Sequence, residues 1–189
     1  MEVQPKRYIT PKEYLEIERA AQFKSEYHVG EMFAVAGASE EHNSISVNIT
    51  ATLAAQVRRS GCKFFSADMR VHVPATDFFA YPDGVIACEP RFFDSPKDTL
   101  LNPALIIEIL SPSTEAYDRG TKSSFYRKLP SLRFYLLVAQ ETQRVEILAK
   151  NEQGSWVLTE FAGSASIVKI ESLNFSLRIP LQEIYEGVF

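Results

Sequence analysis

Three ionisable residues in this chain of 189 residues have the types and surroundings that divalent-cation chemistry requires. Asp83 follows Tyr81-Pro82 and leads into an apolar run that ends at Cys88. Glu108 stands inside Leu105-Ile106-Ile107-Glu108-Ile109-Leu110, and Lys122 inside Asp118-Arg119-Gly120-Thr121-Lys122-Ser123-Ser124-Phe125-Tyr126. An ionised carboxylate in an apolar strand is costly to bury unless it is paired or bound to a cation. Glu108 therefore needs compensation, by a basic side chain in a structural role or by a metal in a functional one. A second strand carboxylate, Asp83, and a lysine on the next helix point to the metal. Mg²⁺ or Mn²⁺ is held by one or two carboxylates, with waters and substrate phosphate completing the octahedron. Asp83 and Glu108 could supply those carboxylates, with the Ile109 carbonyl as an extra ligand. The ion would lower the pKa of a bound water and draw charge from a phosphate. Lys122 would sit where negative charge grows in the transition state.

The elements that must position these residues follow from pattern. Thr10-Pro11-Lys12-Glu13 is a capping box with proline at the first helical position, predicting a helix to about Ala21. The stretch from Ser25 to Gly37 reads as two short strands turning around Gly30, with Glu26 and Glu31 on either side of the turn. Ile45, Ile49, Leu53 and Val57 recur every four residues behind the N-cap candidate Ser39, which predicts the main core helix from Ser39 to Arg59. His42 falls near the same stripe, and Gly61 ends the helix. Phe64-Phe65 and Met69 to Val73 read as strand, as does Pro82 to Cys88. Arg91 to Pro103 reads as a proline-interrupted loop. Ala104 to Leu110 is apolar on both alternating faces, as in a central buried strand. A helix is expected from about Asp118 to Lys128, with Asp118, Lys122 and Tyr126 on one face. Phe134 to Val138 is a further central strand. Val145–Leu148, Trp156–Phe161 and Phe175–Ile179 read as a closing β-meander, followed by a short helix opening at Pro180. The expected class is α/β (α+β), a mixed central sheet flanked by helices with an additional C-terminal β-meander.

Composition bounds the rest. With 46% hydrophobic and 12% aromatic residues the chain suits one globular domain over residues 1–189. The N-terminal segment from Met1 to Arg7 leads into no apolar signal region, and no apolar run reaches membrane-spanning length, so a cytoplasmic protein without membrane contact is expected. Cys62 and Cys88 are isolated, without a CxxC or histidine-rich neighbourhood, and read as buried apolar residues rather than a zinc site or a disulfide framework. The net charge of −4 argues against indiscriminate wrapping of nucleic acid. Two basic stretches remain, Arg58, Arg59, Lys63 and Arg70, then Arg119, Lys122, Arg127, Lys128 and Arg133. They are solvated faces or, if the fold joins them, a phosphate-contacting surface.

Pro82-Asp83 followed by a hydrophobic strand bearing Glu108 resembles the PD-(D/E)xK nuclease superfamily. The ordered set of Glu26 to Glu31, His42-Asn43, Pro82-Asp83, Glu108-Ile109-Leu110-Ser111-Pro112, Asp118, Lys122 and Tyr126 resembles more closely the Uma2 family, also called DUF820, of restriction-endonuclease-like proteins. The resemblance runs from Tyr8 to about Val145. It implies a restriction-endonuclease-like fold with a nuclease core over about 25–140, and Mg²⁺- or Mn²⁺-dependent endonuclease activity on phosphodiester bonds in DNA. In the superfamily pattern the lysine stands two residues after the acid, where this chain has Leu110; in the Uma2-like pattern it moves to the following helix, which fits Lys122. Asp83, Glu108 and Lys122 would then be catalytic.

Four further residues have two readings each. Glu31 either approaches the metal or faces solvent, and His42 either serves phosphate and proton transfer or pairs with a carboxylate. Asp118 caps the helix, holds Lys122 or touches metal, and Tyr126 packs or reaches the site with its hydroxyl. A homodimer would match the two antiparallel strands of a duplex. The alternatives are a catalytically inactive scaffold for binding or assembly, in which Glu108 and Lys122 form a structural ion pair, and a metal-dependent hydrolase of a small phosphoester.

Overall fold

A computed structural model describes residues 7–189; residues 1–6 of the opening segment, in which no signal region is expected, lie outside them. Thr10 caps α1 (Pro11–Ala20) by accepting from the Glu13 amide, and Glu13 accepts in return from the Thr10 amide, completing the expected capping box. β1 (Ser25–His28) and β2 (Glu31–Ala34) form the expected hairpin, with Val29 and Gly30 both at positive φ in its turn. Ser39 caps α2 (Glu40–Val57), which buries Ile45, Ile49, Leu53 and Val57 as the spacing predicts.

β3 (Cys62–Ser66), β4 (Arg70–Val73), β5 (Phe78–Ala80) and β6 (Gly84–Cys88) follow. The segment expected as a plain loop contains a short strand, β7 (Thr99–Leu100), which pairs in parallel with β4. Every residue of β8 (Leu105–Leu110) is buried. The next helical segment is composite: α3 (Glu115–Tyr117), a π turn over Asp118–Lys122, and α4 (Ser123–Tyr126). β9 (Phe134–Ala139), β10 (Arg144–Lys150), β11 (Trp156–Ala162), β12 (Ile167–Glu171), β13 (Ser176–Pro180) and α5 (Leu181–Ile184) complete the chain. Among the described residues no helix is long and apolar enough to cross a membrane.

The fold is mixed α/β, with its strands divided among sheets. The main sheet has the order β11-β10-β9-β8-β6-β3, with β8 parallel to β9 and antiparallel to β6. A second sheet has the order β2-β1-β5-β4-β7, and β12 pairs with β13 alone. The C-terminal strands thus serve two purposes: β10 and β11 extend the main sheet, while the β12–β13 hairpin joins the core that α2 covers. Alternation along β8 separates its two faces. Leu105, Ile107 and Ile109 pack into the core beneath α2, whereas Ile106 and Leu110 pack with Tyr126, Leu129, Val71 and Phe78. Glu108 shares the second face.

The cysteines depart from the sequence reading. Cys62 and Cys88 stand opposite each other across β3 and β6, with Cα atoms 4.0 Å apart, and are joined in a disulfide. The pairing arises from strand register between residues 26 apart in sequence, which composition and spacing do not encode. The basic stretches divide: Arg58, Arg59, Lys63, Arg127, Lys128 and Arg133 are exposed, whereas three members turn inward. Arg70 is buried against Asp98, Lys122 is buried, and Arg119 is bound to Glu115 and Glu146.

His72 in β4 is buried, stacked on Phe79 with ring centroids 3.9 Å apart and met edge-on by Phe93. Burial outweighs the opposing charge of Asp77 and lowers its pKa from 6.5 to about 4. The folded protein thus keeps the ring neutral over a range in which the unfolded chain protonates it. Stability from this group is complete above pH 6.5 and drains away as pH falls towards about 4. His72→Phe, which retains the stack, should flatten that dependence: between pH 7 and pH 4.5 the urea midpoint of the variant should fall less than that of the wild type.

Candidate active site

The site forms where β6 begins and β8 ends. The β6–β8 register sets Gly84 opposite Ile107, and continuing it by one residue sets Asp83 opposite Glu108. Directly opposed residues share a face of the sheet, with Cβ atoms about 5 Å apart, so the strand ladder brings the two carboxylates together. Asp83 Oδ2 accepts from the Ile109 amide at 2.7 Å, taking the place of a backbone acceptor just before the start of β6. In a strand the N–H and C=O of one residue face the same neighbour, which directs the Ile109 carbonyl towards the same end. A Cβ at Gly84, beside Asp83, would press on the side chains of Phe64 and Ile107 at 3.1 and 3.3 Å.

The π turn supplies Asp118 and Lys122. The wider turn holds these i, i+4 residues on one inward face, and such turns recur at functional sites. Both side chains are buried, and the Asp118 carbonyl accepts from the Tyr135 hydroxyl at 3.0 Å. Lys122 Nζ lies 3.1 Å from Glu108 Oε1, 3.6 Å from Asp118 Oδ1 and 2.9 Å from Glu26 Oε1 on β1. Glu26 also accepts from the Tyr81 amide at 3.4 Å. Tyr81 is anchored in turn, donating to Glu18 and accepting from Arg70, so the start of Tyr81-Pro82-Asp83 is tied to α1 and β4. His42, in the first turn of α2, places Nε2 3.3 Å from Asp83 Oδ1.

Burial and charge act against each other throughout the cluster. Burial pushes the Glu108 carboxyl well above its usual range; Lys122 opposes the shift, while Asp118, Asp83 and Glu26 reinforce it. Burial also disfavours the Lys122 ammonium, but Glu108, Glu26 and Asp118 together outweigh burial and keep it charged. Asp118 is raised, first by burial, against the pull of Lys122 and a hydrogen bond from Thr114. For His42, burial is overcome by the hydrogen bond and charge of Asp83 and by the charge of Asp118, and its pKa rises. Tyr126 is fully buried with its phenol beside Glu108; burial and that neighbour raise its pKa, and its hydroxyl makes no well-aligned hydrogen bond.

Asp83, Glu108, Lys122, His42, Asp118 and Tyr126, singled out from sequence, thus meet at one place. Glu31 opens β2 opposite His28, and this register puts it on the same face of the hairpin as Glu26. Glu26 is the residue that sequence reasoning passed over in favour of Glu31. Its sequence signals, a place beside the hairpin turn and a place in the ordered set that resembles the Uma2 family, are ones that both glutamates share.

The sequence model of the Uma2 family, whose description reads "Putative restriction endonuclease", matches residues 11–182. The chain belongs to the Uma2 family. It is 32% identical over 180 residues to the uncharacterized protein slr1290 of Synechocystis sp., covering 95% of this chain and 93% of the relative. It is 38% identical over 164 residues to the uncharacterized protein sll1609 of the same organism, covering 86% and 93%. Its fold is similar to a crystal structure of a putative nuclease belonging to DUF820 from Anabaena variabilis, with a TM-score of 0.73 and 17% identity over 96% of this chain and 99% of the other. Uma2 membership and this likeness make the chain nuclease-like in family and in fold.

Removing the buried ammonium leaves Glu26, Glu108 and Asp118 without their shared cation. Lys122→Met should cost about 3 kcal/mol of metal-free stability at pH 7, the size typical of breaking a buried pair. Adding Glu108→Gln should recover part of that loss, because one of the orphaned carboxylates disappears; urea denaturation of the single and double variants measures both.

Proposed function

We propose that this Uma2 protein is an endonuclease that hydrolyses phosphodiester bonds in DNA with Mg²⁺ or Mn²⁺ at Asp83 and Glu108. One observation carries the reading: four carboxylates, Glu26, Asp83, Glu108 and Asp118, converge on one lysine and one histidine, and three of them act together on Glu108. An oxygen-rich donor set with surplus negative charge fits a hard divalent cation. Among the described residues no three histidine, cysteine, aspartate or glutamate side chains group closely enough to chelate a metal alone. Mg²⁺ asks for less, since it keeps several waters and takes one or two carboxylates.

When bound, the ion supplies Lewis acidity and an acidified water. The chain's own residues do the remainder. Asp83 and Glu108 hold the ion with the Ile109 carbonyl beside them, and the Ile109 N–H fixes Asp83 in place. The Lys122 ammonium neutralises charge developing on the phosphate. His42 holds a proton at Nε2 against Asp83, within reach of the exchange between carboxylate and solvent. Asp118 and Tyr126 flank Lys122 and Glu108 and orient them. Two copies of the chain acting on opposite strands would suit a duplex substrate.

A second reading draws on the seating of Lys122, 3.1 Å from Glu108 with both side chains almost closed to solvent. In that reading the charge cluster is structural and the chain is a non-catalytic scaffold. Calorimetric titration with Mn²⁺ separates the two. The wild type should bind one ion, and Asp83→Asn, which keeps an oxygen for the Ile109 amide, should lower affinity at least tenfold, about 1.4 kcal/mol, with an unchanged circular dichroism spectrum. No binding at millimolar Mn²⁺ would establish the scaffold reading. Where binding is found, Mn²⁺-dependent nicking of plasmid DNA by the wild type and its loss in Lys122→Met complete the test.

A further inference from the structure

Lys122 has a second acid to hold it besides the strand carboxylate. Its ammonium is 2.9 Å from Glu26 Oε1 and 3.1 Å from Glu108 Oε1, so the two acids share it almost equally. They belong to different sheets: Glu108 is fixed in the centre of the main sheet on β8, whereas Glu26 lies on β1, next to the edge strand of the second sheet. Glu26 is held from outside the cluster by the Tyr81 amide, while Glu108 Oε1 is buried and has no well-formed hydrogen bond. A cation that takes Glu108 Oε1 competes with Lys122 for that oxygen.

We propose that Glu26 is the positioning residue for Lys122, holding the ammonium on the β1 side so that Glu108 can turn its oxygen to an incoming divalent cation. This role rests on the cation reading of Asp83 and Glu108. The ammonium is shared between Glu108 and Glu26 before the cation arrives and rests on Glu26 afterwards. Lys122 then stays beside the site, close enough to act on a phosphate, instead of being expelled by like-charge repulsion. Glu26 acts through Lys122 and touches neither ion nor substrate.

Mn²⁺ affinity measured by calorimetry in wild type, Glu26→Gln, Lys122→Met and the double variant tests the assignment. Lys122→Met alone should bind Mn²⁺ more tightly than wild type, because a competing cation has gone. Glu26→Gln should weaken binding about tenfold in the wild-type background and less than about threefold in the Lys122→Met background, a coupling typical of residues in direct contact. An equal loss in both backgrounds would overturn the proposal, marking Glu26 as a ligand or a distant contributor of charge. Unchanged affinity in Glu26→Gln would overturn it too, while leaving the cation site standing. No Mn²⁺ binding by the wild type removes the site itself and this role with it. Lys122→Gln, whose amide still donates to a carboxylate, supplies the uncharged background if Lys122→Met does not fold.

Discussion

A buried ammonium held among buried carboxylates is the constraint on which the arrangement of this protein depends. Neither charge is tolerable alone at that depth. Lys122 stays ionised because three acids outweigh its burial, and those acids are affordable as neighbours only because Lys122 is there. The compensation is incomplete, since negative groups outnumber positive ones. In the function proposed for Glu108, a divalent cation would supply the positive charge that the site is short of, which connects that function to the folding problem.

Each acid arrives by a different structural route. Asp83 and Glu108 meet through strand register and stand at the open end of the β6–β8 ladder, where Asp83 can replace a backbone acceptor. Asp118 and Lys122 come from one π turn, whose wider pitch aims both inward. Glu26 arrives from the second sheet, so the cluster is also a junction between the sheets. A second polar network supports that junction from behind. Arg19 binds Asp94 and Asp98, Arg70 binds Asp98 and Tyr81, and Tyr81 binds Glu18. Arg70, which belongs to one of the two basic stretches of the sequence, is thus used to fix Tyr81, two residues before Asp83.

Much of this was legible in sequence where local rules apply. The capping box of α1, the four-residue stripe of α2 and the apolar run of β8 are enforced by backbone capping and by the need to bury one face, so they read directly from residue order. The glycine in the β1–β2 turn was equally legible, because few residues accept positive φ. Tyr81 to Asp83, Glu108 and Lys122 stood out because ionisable groups in apolar surroundings require an explanation. Glu26 did not, since a glutamate on a short strand beside a turn has the same appearance whether it faces solvent or a buried lysine.

The sequence by itself determined the element types, the mixed α/β class and the residue types available for cation chemistry, because periodicity, capping and turn preference act over a few residues. Only the tertiary structure decided which groups meet. Strand register put Cys62 against Cys88 and Asp83 against Glu108, the packing of the second sheet against the main one brought Glu26 rather than another acid onto Lys122, and packing consumed Arg70 and Arg119 in internal ion pairs. These are pairings between residues tens of positions apart, fixed by the joint burial of many side chains, and no local stretch of chain encodes them.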